Sequence, residues 1–252
     1  MKYLVGDIGN TLIKISILDN HFRILKSYNI ETFKICKEKN ILFFFNKILS
    51  NKLATKILFS SVVPDAYKKI KFYLNKKKFK VFEIKDLKIK NLIKIKVDNI
   101  KQLGSDRIAN AIASTYLHKT NCLIIDFGTA TTFDIIKKNA IYEGGVIAPG
   151  IKLSIYNLNK STALLPLIDL KSNRKSFGKN TKDALNAGFL WGYQGLINNI
   201  IKKITLASKT NYKVILTGGF SMFFKKYVYK KTIVDENITI KGITIVYKEF
   251  LK

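Results

Sequence analysis

The first turn of the chain carries residue types that together suit a bound phosphate group. Residues 7–14 hold a carboxylate, a glycine, an amide, a hydroxyl group and a lysine, in the order Asp7, Ile8, Gly9, Asn10, Thr11, Leu12, Ile13 and Lys14. Glycine lets backbone N–H groups approach an anion, lysine reaches a phosphate as a point charge, and aspartate can hold a hydrated metal ion. The turn is a candidate phosphate site, although the Gly-Asn pair also suits an ordinary β-hairpin.

A second stretch repeats this order of residue types near the middle of the chain. An apolar run, Leu123–Ile125, leads into Asp126, one further residue, Gly128 and the hydroxyl-bearing Thr129. Asp126 lies at the midpoint of the 252 residues. The same unit, a strand followed by an Asp-x-Gly turn and a second strand, therefore occurs twice. This repeat predicts a duplicated domain whose two copies close on one phosphate chain. The expected halves are residues 1–118 and 119–252.

The spacing of apolar residues predicts the elements that position these turns. Ile13, Ile15 and Ile17 alternate with polar residues, which is the period of a half-buried strand. Gly104 is expected to open a helix that ends near His118. The sequence therefore alternates strands with helices, as an α/β protein does.

Two further elements are predicted in the second half. Residues 181–207 form one long helical pattern that contains three glycines, which indicates close packing against another helix. Residues 238–240 are expected to be a last short strand, and residues 242–250 a final helix.

Composition limits the classes of function. Lysine and arginine number 45 against 17 aspartates and glutamates, a net charge of +28. Because the lysines are spread along the whole chain, we interpret the charge as a surface covered with lysine side chains, which would attract anionic substrates. We expect no specific nucleic acid partner. The longest apolar run is too short for a membrane span, and no disulfide framework or signal peptide is visible, so a cytoplasmic protein is expected.

Ordered motifs connect the sequence to a known superfamily. The turns at Asp7 and Asp126 resemble the two phosphate motifs of the sugar kinase, actin and heat-shock ATPase superfamily, and Thr217-Gly218-Gly219 resembles its adenosine motif. Within it the sequence resembles the type III pantothenate kinases. The matching runs follow the family's order and span nearly the full chain: Asp7–Thr11, Ser61–Pro64, Gly104–Arg107, Asp126–Thr131, Gly144–Gly150, Thr162–Pro166, Gly178–Thr181 and Thr217–Gly219.

The resemblance implies a fold and an activity. The fold would be two ribonuclease H-like (actin-like ATPase) domains, each a mixed β-sheet flanked by helices, with the nucleotide in the cleft between them. The activity would be ATP-dependent phosphorylation of pantothenate to 4'-phosphopantothenate, the first step of coenzyme A biosynthesis. The family works as homodimers with a monovalent cation, K⁺ or NH₄⁺, and Mg²⁺ would accompany ATP.

Site residues follow from the resemblance, motif by motif. Residues 7–14 would bind the ATP phosphates with help from Thr129, and Asp126 would ligate the monovalent cation. The acceptor site would be lined by four consecutive residues, Gly104, Ser105, Asp106 and Arg107. Asp106 would be the general base. Thr181 would contact pantothenate across the dimer, although a helix N-cap is an alternative role for it.

One departure from the family pattern keeps other functions open. The family usually has a tyrosine, which contacts pantothenate, seven residues before the glycine of Gly-x-Asp-Arg, and this chain has Val97 there. A kinase of another small hydroxy acid or of a sugar is therefore one alternative. A basic regulator on the same fold, which binds nucleic acid or a partner, is another.

Overall fold

The computed structural model describes residues 1–50, 52–172 and 176–252. The chain divides into two compact units. The first comprises Met1–Lys119, Asn139–Tyr142 and Asn237–Lys252, and the second comprises Thr120–Lys138 and Glu143–Glu236. Each unit has a mixed sheet and a hydrophobic core of its own.

The sheet of the first unit is built around one buried strand. Its strands are β1 (Lys2–Ile8), β2 (Leu12–Leu18), β3 (Ile24–Glu31), β4 (Leu53–Ser61) and β5 (Lys80–Glu83), in the order β3-β2-β1-β4-β5. Strand β1 pairs antiparallel with β2 and parallel with β4. Ile13 and Ile15 are fully buried, which confirms the alternation predicted for β2. A two-residue strand, β6 (Lys94–Ile95), pairs in parallel with Ile141 and Tyr142.

The sheet of the second unit repeats this plan. Its strands are β7 (Cys122–Phe127), β8 (Ala130–Lys137), most of β9 (Ile141–Pro149), β10 (Lys213–Gly218) and β11 (Thr232–Val234), in the order β11-β10-β7-β8-β9, and β6 pairs with the first residues of β9 at the edge. Strand β7 pairs antiparallel with β8 and parallel with β10, as β1 does with β2 and β4. The strand order 3-2-1-4-5 therefore recurs as 9-8-7-10-11, and the predicted duplication of a mixed-sheet domain is confirmed.

Helices cover the sheets of both units. The α-helices are α1 (Glu38–Asn46), α2 (Pro64–Lys76), α3 (Ser105–His118), α4 (Ile151–Lys160), α5 (Thr181–Ser208), α6 (Ser221–Phe224) and α7 (Ile238–Phe250), and short 3-10 turns cover Thr32–Cys36, Ile84–Asp86, Ile89–Asn91, Ile100–Gln102 and Lys225–Tyr227. Helix α3 begins directly after Gly104, as predicted. Within the described part of the chain, no helix has the length and apolar character needed to cross a bilayer.

The prediction of a strand at residues 238–240 is wrong, because these residues open α7. Ile238, Ile240, Ile243 and Val246 are buried along one helix, so tertiary packing overrides their β-branched preference for strands. Gly242 allows the close approach of α7 to α3. A Cβ atom on Gly242 would lie 1.9 Å from the backbone oxygen of Ala109.

Candidate functional site

The first candidate turn is held by backbone and side-chain hydrogen bonds within the first unit. Asp7 stands opposite Lys14 in the pairing of β1 with β2. The N–H of Gly9 donates to the carbonyl of Leu12 at 3.0 Å, and the hydroxyl of Thr32 donates to the carbonyl of Gly9 at 2.7 Å. The turn therefore has a fixed backbone shape, with a carboxylate and an ammonium group at its two ends.

The side chains of this turn divide into two groups. Ile8 and Ile13 are fully buried in the core, so they can offer a ligand only their backbone groups. Asn10, Thr11 and Leu12 are exposed at the tip. The side chain of Lys14 is half-buried, and its Nζ donates to Oδ1 of Asn237 at 2.6 Å. That contact fixes the lysine beside Asp7, and sequence reasoning missed it because Asn237 lies 223 residues away.

The second candidate site is the start of α3, also in the first unit. Gly104 is the N-cap residue, and the N–H of Arg107 donates to Oδ1 of Asp106 at 2.8 Å. A Cβ atom on Gly104 would lie 2.3 Å from the same carboxylate oxygen, so the glycine makes room for the Asp106 carboxylate. Backbone N–H groups and the positive end of the helix dipole make this terminus suited to an anion.

Two opposing effects set the proton affinity of Asp106. Burial raises the pKa of its carboxyl group above the ordinary value of 3.8, and this effect is the largest. The backbone N–H and the charge of Arg107, and the charge of Lys85, lower that pKa in part. A carboxylate with a raised pKa is a better proton acceptor, which is the property that a general base requires.

Arg107 is oriented by an aromatic ring that sequence reasoning missed. The guanidinium carbon lies 5.9 Å from the centre of the Tyr142 ring, a cation–π distance. Tyr142 is only 1% exposed, and its partner on β6 is Ile95, two residues before Val97. A guanidinium fixed in this way can bind a carboxylate through two parallel hydrogen bonds.

In the second unit, the turn after β7 brings three glycine-bearing segments together. Asp126 stands opposite Thr217 in the pairing of β7 with β10. The N–H of Gly219 donates to the carbonyl of Phe127 at 3.2 Å, and the N–H of Gly150 donates to the carbonyl of Thr129 at 3.1 Å. The second phosphate motif and the adenosine motif, which the sequence separates by about 90 residues, are therefore adjacent in the structure.

Gly218 and Gly150 are required by this close approach. Gly218 has φ +82°, and a Cβ atom there would lie 2.6 Å from Oδ1 of Asp126. A Cβ atom on Gly150 would lie 2.2 Å from the carbonyl oxygen of Thr129. The Asp126 carboxylate therefore faces backbone rather than side chains on this side.

A buried hydroxyl network supports the second turn. The hydroxyl groups of Thr131 and Tyr193 lie 2.7 Å apart, and Tyr193 also donates to the backbone carbonyl of Pro149. Thr131 is fully buried. Helix α5 is thereby connected to the start of β8 and to the end of β9.

The donor atoms at this turn suit a hard cation. Asp126 offers carboxylate oxygens, and its neighbours Gly128 and Thr129 offer backbone carbonyls. Oxygen-only donors are those that alkali and alkaline-earth ions prefer. Among the residues that the structure describes, no group of three or more His, Cys, Asp or Glu side chains could hold a metal ion.

Thr181 lies at the start of α5, where it is exposed. It lines a mainly apolar cavity of about 460 Å³ together with Leu158, Leu165, Ala184, Leu185, Gly188 and Phe189. The alternative role of N-cap is wrong, because Asn180 is the cap residue and its Oδ1 accepts the N–H of Asp183 at 2.9 Å. The hydroxyl of Thr181 is therefore not used to cap the helix.

Comparison with known proteins gives one family across most of the chain. The family model described as type III pantothenate kinase matches residues 3–203. A Pelagibacter ubique (strain HTCC1062) protein named type III pantothenate kinase is 46% identical over 241 residues, which cover 95% of this chain and 96% of that relative.

Solved structures extend the likeness to the fold. A Campylobacter jejuni protein described as a candidate Baf family transcriptional activator is 26% identical, with a TM-score of 0.63 over 98% of both chains. The inorganic polyphosphate/ATP-glucomannokinase of Arthrobacter sp. strain KM is 13% identical, with a TM-score of 0.53 over 98% of this chain and 99% of that one. The fold is the duplicated, ribonuclease H-like fold of actin-like ATPases and sugar kinases.

Gly218→Ala is expected to lower the free energy of unfolding by about 1–3 kcal/mol, because the fold holds this position at a positive φ that strains a residue with a Cβ, and because the added Cβ would crowd Asp126. Gly219→Ala is the matched control, since no atom lies within 4 Å of its added Cβ, and a change within about 0.5 kcal/mol is expected. Urea unfolding of both variants measures the difference. Equal free energies for the two variants would contradict the role of Gly218.

Proposed function

The chain belongs to the type III pantothenate kinase family, and we propose that it transfers the γ-phosphoryl group of ATP to the terminal hydroxyl of pantothenate. The observation that carries the proposal is the start of α3, where the Asp106 carboxylate accepts the backbone N–H of Arg107 and the charge of Arg107 lowers the pKa of that carboxyl group. One group can accept a proton and the other can bind a carboxylate, and pantothenate has both a primary hydroxyl and a carboxylate.

Residues 7–14 form the proposed site for the ATP phosphates, with a contribution from Thr129. Phosphoryl transfer depends on positioning and on neutralising charge more than on covalent chemistry. The backbone of the first turn and the ammonium of Lys14 supply donors to phosphate oxygens. Mg²⁺ would enter with ATP, and Asp7 is proposed to hold its hydration shell. Asp7 and Lys14 lie opposite each other in the strand pairing, which supports this division of roles.

The acceptor is bound by the residues from Gly104 to Arg107 in this proposal, with Ser105 offering only its backbone because its side chain is fully buried. Arg107 holds the pantothenate carboxylate, while Asp106 accepts the proton of the attacking hydroxyl as the bond to phosphorus forms. The proton ends on the Asp106 carboxylate, and ADP leaves with the electrons of the broken phosphorus–oxygen bond. Thr181 is proposed as a further pantothenate contact.

The reaction is tested by ADP release from MgATP over a panel of acceptors that includes pantothenate, sugars and other hydroxy acids. We expect ADP release only with pantothenate. Turnover of another acceptor while pantothenate is inert would contradict the proposal. An inactive protein whose DNA binding shows sequence preference and falls steeply with salt would support a basic regulator instead.

Asp106→Asn is expected to lower kcat by about 10²-fold or more while ATP binding persists, because the amide cannot accept the hydroxyl proton. Steady-state kinetics and calorimetric ATP titration measure the two effects. Asp65→Asn is the matched control, since Asp65 is an exposed aspartate in the first turn of α2. A near-normal kcat with a raised KM for pantothenate would make Asp106 a binding residue.

Asp126 is proposed to hold a monovalent cation, K⁺ or NH₄⁺. A partly buried carboxylate near the ATP phosphates would repel them. The oxygen atoms around Asp126 suit a hard cation, and a bound cation would remove that repulsion. We expect the rate to rise in KCl and NH₄Cl but not in NaCl, and Asp126→Ala to lose this response. Equal wild-type rates in the three salts would contradict the assignment.

The protein is proposed to act as a homodimer through the face that α4 and α5 form in the second unit. Exposed apolar side chains, among them Tyr156, Leu164 and Phe177, lie on or beside that face, and the cavity at Thr181 opens within it. Covering such a patch is favourable. Light scattering at the assay concentration should give twice the 28.8 kDa chain mass. A fully active monomer would contradict this assembly.

A cytoplasmic location is proposed from the state of Cys122. Its thiol is free and buried, and burial raises its pKa to about 11. Such a thiol is unreactive and packs as a small apolar side chain. This state suits a reducing compartment, where ATP is also available.

A further inference from the structure

Glu83 is a buried carboxylate beneath the start of α3 that none of the proposed roles uses. It is the last residue of β5 and is 9% exposed. It stands opposite Phe59 in the pairing of β5 with β4. A buried ionisable group costs free energy unless hydrogen bonds compensate for lost hydration, so its presence at this position needs a reason.

One oxygen of Glu83 holds a turn that carries a cation. Oε2 accepts the N–H of Lys85 at 2.6 Å, which caps the 3-10 turn Ile84–Asp86. The Nζ atom of Lys85 donates to the carbonyl of Lys101 at 3.3 Å, just before Gly104. Lys85 also lies close enough to Asp106 for its charge to lower the pKa of that carboxyl group. Glu83 therefore fixes the backbone of the turn from which the Lys85 ammonium group extends toward Asp106.

The Glu83 carboxyl group also lies near enough to the first residue of α3 for the Ser105 side chain to affect its pKa. Burial raises its pKa, and the side chain of Ser105 and the backbone N–H groups of Lys85 and Ser61 oppose this effect. Ser105 is fully buried, and its hydroxyl donates to the carbonyl of Ser61 at 3.2 Å. The next residue in the chain is Asp106, so a displacement of Ser105 moves the proposed base.

The second carboxylate oxygen of Glu83, Oε1, is an unused hydrogen-bond acceptor within the part of the chain that the structure describes. Among the described residues, Oε1 of Glu83 and the hydroxyl of Tyr67 are both buried without a hydrogen-bond partner of standard geometry. Burial raises the pKa of Tyr67, and the charges of Asp86 and Glu83 raise it further. A buried carboxylate with an unpaired oxygen costs stability, and a role in positioning the start of α3 would explain why it is present.

On the basis of the proposed function, we propose that Glu83 is a positioning residue for Asp106, acting through Ser105 and through the turn that carries Lys85. It touches neither substrate. Its role is to hold the start of α3 in the one position from which the Asp106 carboxylate reaches the acceptor hydroxyl. Misplacement of a base by about 1 Å costs on the order of 10²-fold in rate, so even a small shift is measurable.

Three variants separate positioning from simple capping. Glu83→Leu keeps the approximate volume but removes both oxygens, Glu83→Gln keeps an acceptor for the N–H of Lys85, and Asp86→Asn removes an exposed charge three residues away. We expect Glu83→Leu to lower kcat about 10-fold or more with KM for ATP unchanged. Glu83→Gln should recover most of that loss, and Asp86→Asn should behave as wild type.

Ser105→Ala tests whether Glu83 acts on Asp106 through Ser105. It also replaces Glu83→Leu as the test if Glu83→Leu does not unfold cooperatively. It should lower kcat with KM for ATP unchanged, and the double variant with Glu83→Leu should lose less than the product of the two single losses. A wild-type kcat in Glu83→Leu or in Ser105→Ala would overturn the inference, as would losses in the double variant that simply multiply.

Hydrogen exchange of the amides of residues 104–107 gives a readout that does not depend on turnover. Glu83→Leu should raise their exchange rates, and Glu83→Gln should restore them. Unchanged rates would overturn the positioning role even if the enzyme is active. A wild-type protein that releases no ADP with pantothenate would overturn the proposed function alone, while the exchange rates still decide the role of Glu83.

Discussion

The burial of the strand that precedes each Asp-x-Gly turn is the constraint on which the rest of the structure depends. Leu4 and Val5 in β1, and Leu123–Ile125 in β7, are fully buried. A shift of one residue in either strand would exchange its two faces, so the register is fixed. The carboxylates of Asp7 and Asp126 are thereby placed at the ends of the two central strands, with a parallel neighbour on one side and an antiparallel neighbour on the other.

The acceptor side is built at a cost in stability. Burial raises the pKa of both Glu83 and Asp106, so the native state binds protons more tightly than the unfolded state does. For these two groups, stability is therefore greatest below their unfolded pKa values and falls as the pH rises through the higher native values. The same burial makes Asp106 a stronger proton acceptor near neutral pH. The loss of stability and the gain in basicity therefore both arise from the burial of these carboxyl groups. Such a combination is common at active sites.

The sequence was sufficient to predict the local structural patterns and the family. The Asp-x-Gly repeat predicted the duplicated fold, and the start of a helix at Gly104 was predicted as well. Residues 238–240 were predicted wrongly, because β-branched residues favour a strand locally and only the packing of α7 on α3 decides otherwise. The contact of Arg107 with Tyr142 joins residues 35 apart. Such long-range contacts leave no periodic signal, so this chain's sequence could not predict them.

The central claim is that the Asp106 carboxylate accepts the proton of the acceptor hydroxyl. The pH dependence of kcat at saturating pantothenate and MgATP tests it most directly, because this quantity reports ionisations in the ternary complex. The wild-type kcat should fall on the acid side with an apparent pKa above 3.8, since burial raises the pKa of Asp106. The residual kcat of Asp106→Asn should lack this decrease. The same acid-side decrease in wild type and in Asp106→Asn would contradict the claim.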